Sequence, residues 1–261
     1  MQKKKIKISI ILSIICTLII GISEVKAENV TYFTSNNGIQ LTEKEYNLFV
    51  ELYGEKYTYN LTQEQYDFVN NKLDINNKEV ETNVTIDKVE NPFEKYSAII
   101  SPKSTYIQTA YKKLAISKAC SGGSCNMVVV LQWLQSPAVR SYDVMGIRHT
   151  GTVNVPGTIL TMVETNEPTV YCGSYKFTDD GFGCSIKLSE TASSIYITQA
   201  FVATGTGRIY ASYQHATTVV SKLTSQKYNI NAGGYGSVFD FYGTAQGIYD
   251  DMPGVYMYIQ N

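Results

Sequence analysis

The feature that most constrains the fold is a change of sequence pattern near residue 98. From there onward, short runs of β-branched and aromatic residues alternate with Gly, Asn and Asp-Gly turns about every 8 to 12 residues. Each run is long enough for a strand and too short for a helix. Roughly 160 residues with this pattern predict a mainly β domain over 99–261, an antiparallel two-sheet β-sandwich large enough to bury its own core.

Alternation within these runs separates an apolar face from a more polar face, as expected of strands in a sandwich. Eleven candidate strands are predicted on this basis. The predicted strands are 111–119, 126–134, 139–148, 159–163, 169–177, 182–188, 194–203, 208–215, 226–230, 237–242 and 254–259.

Cysteine positions add a covalent constraint to the predicted sandwich. Its four cysteines, Cys120, Cys125, Cys172 and Cys184, allow three pairings. A two-residue primed turn at 122–123, both glycines, places Cys120 directly opposite Cys125. Directly opposed residues of this kind are close enough for a disulfide. We therefore predict a disulfide bond between Cys120 and Cys125 at this hairpin tip and no reactive thiol.

The remaining two cysteines do not align so simply. Regular register from a turn over 178–181 leaves Cys172 out of line with Cys184. A β-bulge at Gly173 or Gly183 would correct the mismatch. Because the other two cysteines pair with each other, we expect a bond between Cys172 and Cys184.

Residues 1–27 have the composition of an export signal peptide. A basic start, "MQKKKIK", precedes an apolar run through residue 23, and small residues, Val25 and Ala27, occupy positions −3 and −1 of a cleavage site. We predict cleavage after Ala27 and a mature chain that begins at Glu28. The apolar run is short for a membrane span, and we expect a secreted, extracellular protein.

Residues 28–98 form a predicted acidic N-terminal segment with a net charge of −7, whereas 99–261 carry +2. Two capping boxes, Thr42 with Glu45 and Thr62 with Gln65, predict two short helices. Residues 71–92 are rich in Asn and charge, which is typical of a linker with one strand. The segment could be a separate module, a solubilising spacer or a pro-segment that is removed on maturation. Without a basic stripe, nucleic acid is not an expected partner.

Catalytic and metal-binding signals are weak. The chain has two histidines, His149 and His215, and no second ligand stands at a recognised metal spacing. Alternation places His215 on an apolar strand face, which favours a packed histidine bonded to backbone. The glycine-rich stretches lead into strands and not into helices, so they do not form a phosphate cradle. We predict no catalytic residue, no metal and no cofactor.

The 21 tyrosines are the most unusual feature of the composition. In the predicted strands, outward positions are rich in Tyr, Ser, Thr and Gln and poor in charge. Such a surface can stack on sugar rings or dock another protein. The candidate binding residues are Tyr196, Tyr210, Tyr256 and Tyr258. The mature chain is therefore interpreted as an extracellular binding protein for a glycan or a surface protein.

Two other functions stay open at this level. Residues 191–218 resemble the amphipathic, low-charge hairpin of a pore-forming or bacteriocin-like toxin, with strands of about ten residues. Membrane contact is expected only under that alternative. A secreted hydrolase would need His149 or His215 beside an acid in a cleft.

The amino-acid composition points to a bacterial source. The chain has 19 lysines against three arginines, with abundant Ile, Asn and Tyr, as an AT-rich genome would produce. Together with the export signal, this layout resembles uncharacterised secreted proteins of low-GC Gram-positive bacteria (Firmicutes). The resemblance brings no site residue and no activity with it.

Overall fold

The computed structural model describes residues 30–90, 108–167, 170–179, 181–216, 228–229, 240–241 and 254–260. The predicted export signal and its cleavage site lie outside the described residues. So do residues 91–98 at the end of the acidic segment.

Three helices and a small β-ribbon make up residues 30–80, which we call the head. Strands β1 (Phe33–Thr34) and β2 (Gln40–Leu41) precede α1 (Glu43–Tyr53), α2 (Glu55–Tyr59) and α3 (Gln63–Leu73). Both predicted capping boxes are present and begin α1 and α3. The one-turn helix α2 was not expected. None of these helices is long and apolar enough to cross a bilayer.

The rest of the described chain is antiparallel β-structure, which confirms the predicted fold class. Nine strands form one connected sheet, and two further short strands pair with each other. The nine are β3 (Glu81–Glu90), β4 (Gln108–Ser121), β5 (Ser124–Trp133), β6 (Tyr142–Asn154), β7 (Leu160–Thr165), β8 (Tyr171–Thr178), β9 (Gly181–Lys187), β10 (Ile195–Gln214) and β13 (Val255–Ile259). The short pair is β11 (Tyr228–Asn229) with β12 (Asp240–Phe241).

Strand β10 belongs to both layers of the sandwich. Its first half pairs with β5 and β7, and its second half pairs with β13 and β6. Sheet one is therefore β3-β4-β5-β10-β7, and sheet two is β8-β9-β6-β10-β13. The predicted division of this segment into strands 194–203 and 208–215 is wrong, because residues 195–214 form one strand.

A β-bulge replaces the turn that was expected between those two segments. Thr206 and Gly207 of β10 stand opposite the single residue Gly151 of β6. Gly151 has φ +73°, and a Cβ on Gly207 would lie 1.9 Å from the carbonyl oxygen of Thr150, so the close approach requires glycine at both positions. Residues 195–214 therefore do not form a two-stranded hairpin in this structure.

Strand β3 lies in residues 71–92, which were predicted to be a linker with one strand. It pairs with β4 over its whole length, from Glu81 opposite Lys118 to Glu90 opposite Gln108. The head is thus followed directly by an edge strand of sheet one.

The main core lies between sheets one and two, and a second cluster lies on the outer surface of sheet one. On that surface, small and β-branched side chains leave room for the head, whose Phe49, Leu52 and Val69 are fully buried against it. The strand residues in this second cluster are Ala115, Ala119, Val128, Val130 and Ala200, with Tyr196 packed beside them.

Both expected disulfides are present. Cys120 and Cys125 stand opposite each other across a turn in which Gly122 and Gly123 have φ +59° and +83°. Cys172 and Cys184 are joined with a Cα separation of 5.6 Å. As expected, a register shift between Gly173 and Lys176 of β8 brings the second pair within reach.

Candidate functional site

Three of the four candidate tyrosines lie together on the outer surface of sheet two. Tyr210 of β10 stands opposite Tyr256 of β13, with ring centroids 5.8 Å apart. Tyr258 is two residues further along β13 and faces the same way. The side chains of Tyr256 and Tyr258 are 43% and 47% exposed. The strand alternation therefore places two rings at the surface beside a half-buried third.

Two of the three arginines of the chain flank these rings. Arg208 stands opposite Tyr258, and its guanidinium carbon lies 5.7 Å from the ring centroid of Tyr256. Arg148 of β6 stands opposite Tyr210, with its guanidinium carbon 5.7 Å from that ring. Such cation–π contacts hold the side chains in one arrangement. We call these five residues the tyrosine face.

Side chains of sheet one hold strand β13 in place. The outer edge of β13 presents the carbonyl oxygens of Gly254, Tyr256 and Tyr258. These accept hydrogen bonds from Thr85 Oγ1 at 3.3 Å, Asn83 Nδ2 at 2.8 Å and Lys118 Nζ at 2.7 Å, respectively. Since the other edge pairs with β10, the backbone beneath the two exposed rings is fixed on both sides.

The fourth candidate, Tyr196, lies on the opposite side of the sandwich. It faces outward from sheet one, where its ring centroid is 4.7 Å from that of Tyr57 in α2 and 6.3 Å from that of Tyr53 in α1. Its hydroxyl oxygen accepts a hydrogen bond from Gln132 Nε2 at 3.2 Å. The structure therefore separates Tyr196 from the tyrosine face and places it against the head.

A pocket of about 220 Å³ opens beside Tyr196, where the head meets sheet one. We call it the junction pocket. Its lining is polar and aromatic, and it combines residues of α2, α3 and β10. The lining residues are Lys56, Tyr57, Asn60, Gln65, Ser194 and Tyr196.

Glu164 of β7 adjoins the junction pocket and links the head to sheet one. Its carboxylate accepts hydrogen bonds from the Tyr57 hydroxyl and from Gln65 Nε2. Burial raises the pKa of Glu164 above its ordinary value, although these two hydrogen bonds oppose the shift. Burial also raises the pKa of Tyr57 far above its ordinary value, so its hydroxyl stays protonated and donates.

Because the pKa of Glu164 is higher in the folded chain than in the unfolded chain, its protonation stabilises the fold. That contribution is complete below the unfolded pKa, near 4.5, and is lost as the pH rises through the higher folded value. Glu164→Gln should abolish this contribution. We therefore expect the stability of the variant, relative to the wild type, to be more favourable at pH 7 than at pH 3.5, as measured by urea unfolding at both values.

Glu79→Gln provides the matched control, since Glu79 is exposed and lies outside the junction pocket. The expectation would be contradicted if the difference in free energy of unfolding between Glu164→Gln and the wild type were the same at pH 3.5 and pH 7. It would also be contradicted if Glu79→Gln showed a pH dependence of the same size.

A second polar cluster lies buried at one end of the core. His215 Nδ1 lies 2.8 Å from Asp143 Oδ2, and Asp143 also accepts hydrogen bonds from the Tyr213 hydroxyl and from the backbone N–H of Ala216. Trp133 Nε1 donates to the Tyr213 hydroxyl oxygen at 3.0 Å. His215 thus has a carboxylate partner at Nδ1, which was not predicted.

The Asp143–His215 pair has the orientation that a catalytic dyad uses, with Nδ1 held by the acid. However, Asp143 is 0% and His215 4% exposed, whereas a catalytic ring must meet its substrate. His149 is also buried, on β6. Among the described residues, no group of three or more His, Cys, Asp and Glu side chains could hold a metal ion.

No protein-family model matches the sequence, and no curated protein is significantly similar to it. Similar solved structures are surface adhesins and pilins of Gram-positive bacteria. The pilus backbone protein RrgB of Streptococcus pneumoniae is 12% identical, with a TM-score of 0.28, over 37% of this chain and 26% of that one. This chain thus matches about a quarter of the length of RrgB.

Two other matches cover more of the chain. The collagen-binding domain of surface protein RspB from Erysipelothrix rhusiopathiae is 12% identical over 51% of this chain and 49% of that one, with a TM-score of 0.31. A Fap1 fimbrial adhesin structure from Streptococcus parasanguinis is 11% identical over 69% and 95%, with a TM-score of 0.30.

Proposed function

We propose that the protein is an extracellular binding protein that contacts a protein ligand through the tyrosine face. The observation that carries the proposal is the pair of exposed rings, Tyr256 and Tyr258, held rigidly beside Arg208. Tyrosine and arginine are the residue types, with tryptophan, that dominate binding energy at protein interfaces. A pre-formed strand surface also loses little conformational entropy on binding.

Charge favours an acidic partner for this face. Arg208 is exposed beside the two rings, whereas Arg148 is buried behind Tyr210, and residues 99–261 carry a net charge of +2. The acidic head packs on the outer surface of sheet one, on the far side of the sandwich. The tyrosine face therefore lies away from the main concentration of negative charge, which favours approach of a ligand with exposed carboxylates.

The two disulfides support an extracellular location. Bonds of this kind persist in oxidising environments and are rare in the cytosol. The export signal over residues 1–27 and its cleavage after Ala27 belong to the same proposal.

The test uses the mature chain, residues 28–261, and the double variant Tyr256→Ala/Tyr258→Ala. Labelled protein is applied to purified extracellular proteins and to a glycan array, and protein hits are titrated by surface plasmon resonance. Truncating one central tyrosine costs about 2 kcal/mol or more, which is roughly 30-fold in affinity. We expect the double variant to bind a protein hit at least 30-fold more weakly, and we expect salt to weaken wild-type binding.

Tyr171→Ala is the matched control, because Tyr171 lies on β8 and is 57% exposed. This control should bind as the wild type does. The proposal would be wrong if the mature chain bound glycans and no protein, or if the double variant retained full affinity.

A further inference from the structure

We infer that the junction pocket is a second binding site, which takes one pyranose ring of a glycan. The site is separate from the tyrosine face, since the two lie on the outer surfaces of opposite sheets. The inference does not depend on the proposed protein ligand.

The chemistry of the lining matches a saccharide. A sugar ring presents apolar C–H faces and a rim of hydroxyls that both donate and accept hydrogen bonds. The half-buried ring of Tyr196, tilted by 48° against the ring of Tyr57, offers an aromatic surface for a C–H face. Ser194 and Asn60 offer a hydroxyl and an amide, and the amine of Lys56 adds a cation at the rim.

Existing contacts orient the polar groups before a ligand arrives. The Gln65 carbonyl oxygen accepts from the backbone N–H of Thr62 at 2.8 Å while its amide donates to Glu164, so its orientation is fixed at both ends. Asn60 donates to the carbonyl oxygen of Lys56 at 2.8 Å. Because Tyr196 accepts from Gln132, its own hydroxyl hydrogen is left to donate. Pre-oriented groups of this kind lower the entropic cost of binding.

The size of the pocket limits the ligand. Drug-sized ligands occupy pockets of about 300–1,000 Å³, so a pocket of about 220 Å³ holds a single ring and not an extended chain. The remainder of an oligosaccharide would extend into solvent. We therefore expect recognition of a terminal or branching sugar.

The test is saturation-transfer NMR on the mature chain with a panel of methyl pyranosides, neutral, N-acetylated and acidic, together with a glycan array. Ser194→Trp fills the pocket without removing a contact of the head. We expect saturation transfer to at least one pyranoside, and we expect Ser194→Trp to weaken its binding at least tenfold. Ser193→Trp, one residue away at an exposed position outside the lining, should bind as the wild type does.

Tyr196→Phe keeps the ring, removes one hydroxyl donor and provides a second test if Ser194→Trp does not fold. Loss of one such hydrogen bond should weaken binding roughly five- to tenfold. No saturation transfer to any pyranoside, or unchanged affinity in the pocket variants, would overturn the inference. Tyr256→Ala/Tyr258→Ala should leave sugar binding intact, so failure at one site is distinguishable from failure at the other.

Discussion

Replacement of Asp143 by alanine is expected to lower the free energy of unfolding by about 3–5 kcal/mol. The carboxylate is fully buried and serves as acceptor for Tyr213, His215 and Ala216. Alanine would remove this acceptor from three buried groups, and each buried hydrogen bond lost in this way costs about 1–3 kcal/mol. Lys112 is also buried here, with its ammonium nitrogen 5.6 Å from the ring centroid of Tyr213.

Guanidinium unfolding followed by tryptophan fluorescence measures this effect directly. Trp133 is the only tryptophan of the chain and donates to Tyr213, so the probe lies within the cluster. Asp67→Ala is the control, because Asp67 of α3 is only partly buried and accepts a solvent-exposed hydrogen bond from Gln63. The control should change stability by about 0.5 kcal/mol or less. A comparable loss in both variants would mean that the network does not stabilise the core.

The second large effect is expected for Phe49→Ala. Phe49 is fully buried in the cluster between the head and sheet one, and its ring lies 6.0 Å from the rings of both Tyr53 and Tyr66. Removing a buried phenylalanine side chain costs about 3–5 kcal/mol. Because this cluster joins the head to the sandwich, we expect the variant to unfold at lower denaturant concentration in a single transition, seen alike by Trp133 fluorescence and by far-UV circular dichroism.

Tyr59→Ala, on the exposed side of the same head, should leave the midpoint nearly unchanged. If Phe49→Ala instead melted the helices while the Trp133 signal kept its wild-type midpoint, the head would be an independent unit. Limited proteolysis of the variant would then release a stable fragment that retains residues 99–261. That outcome would favour the interpretation of the acidic segment as a removable pro-segment.

Local sequence signals predicted the features that depend on a few neighbouring residues. The capping boxes at Thr42 and Thr62 need only four residues each, and the Gly122-Gly123 turn fixes its own register. Where the signal was ambiguous, the prediction failed. The 205–207 stretch has turn composition, yet tertiary packing against β6 made it a bulge. Strand β3 carries a weak alternation of Thr82, Val84 and Ile86 within charged residues, so one strand was expected in the linker over 71–92, but its bounds and its pairing with β4 were not.

At the candidate site, too, local sequence signals predicted the orientation of single side chains but not their distant partners. Alternation correctly indicated that Tyr196 and Tyr210 point away from the core. It could not indicate that the two halves of β10 belong to different sheets, which places these two tyrosines on opposite sides of the sandwich. Arg208 could have been found, since it is two residues from Tyr210 on the same strand. The partners of Glu164 and His215 could not, because Tyr57 and Asp143 are far away in sequence and meet them only through the fold.

The bulge in β10 also determines which side chains of this strand reach the two proposed binding surfaces. Odd-numbered side chains such as Ile197 and Ile209 face the core on both sides of it, and Tyr196 and Tyr210 face outward. Adding or deleting one residue between Thr204 and Arg208 would reverse this parity downstream, so that Tyr210 would enter the core and Ile209 would meet solvent. Homologues should therefore tolerate substitutions at Thr206 far better than insertions, and loop-length variation, common elsewhere in β-proteins, should be absent from this short segment.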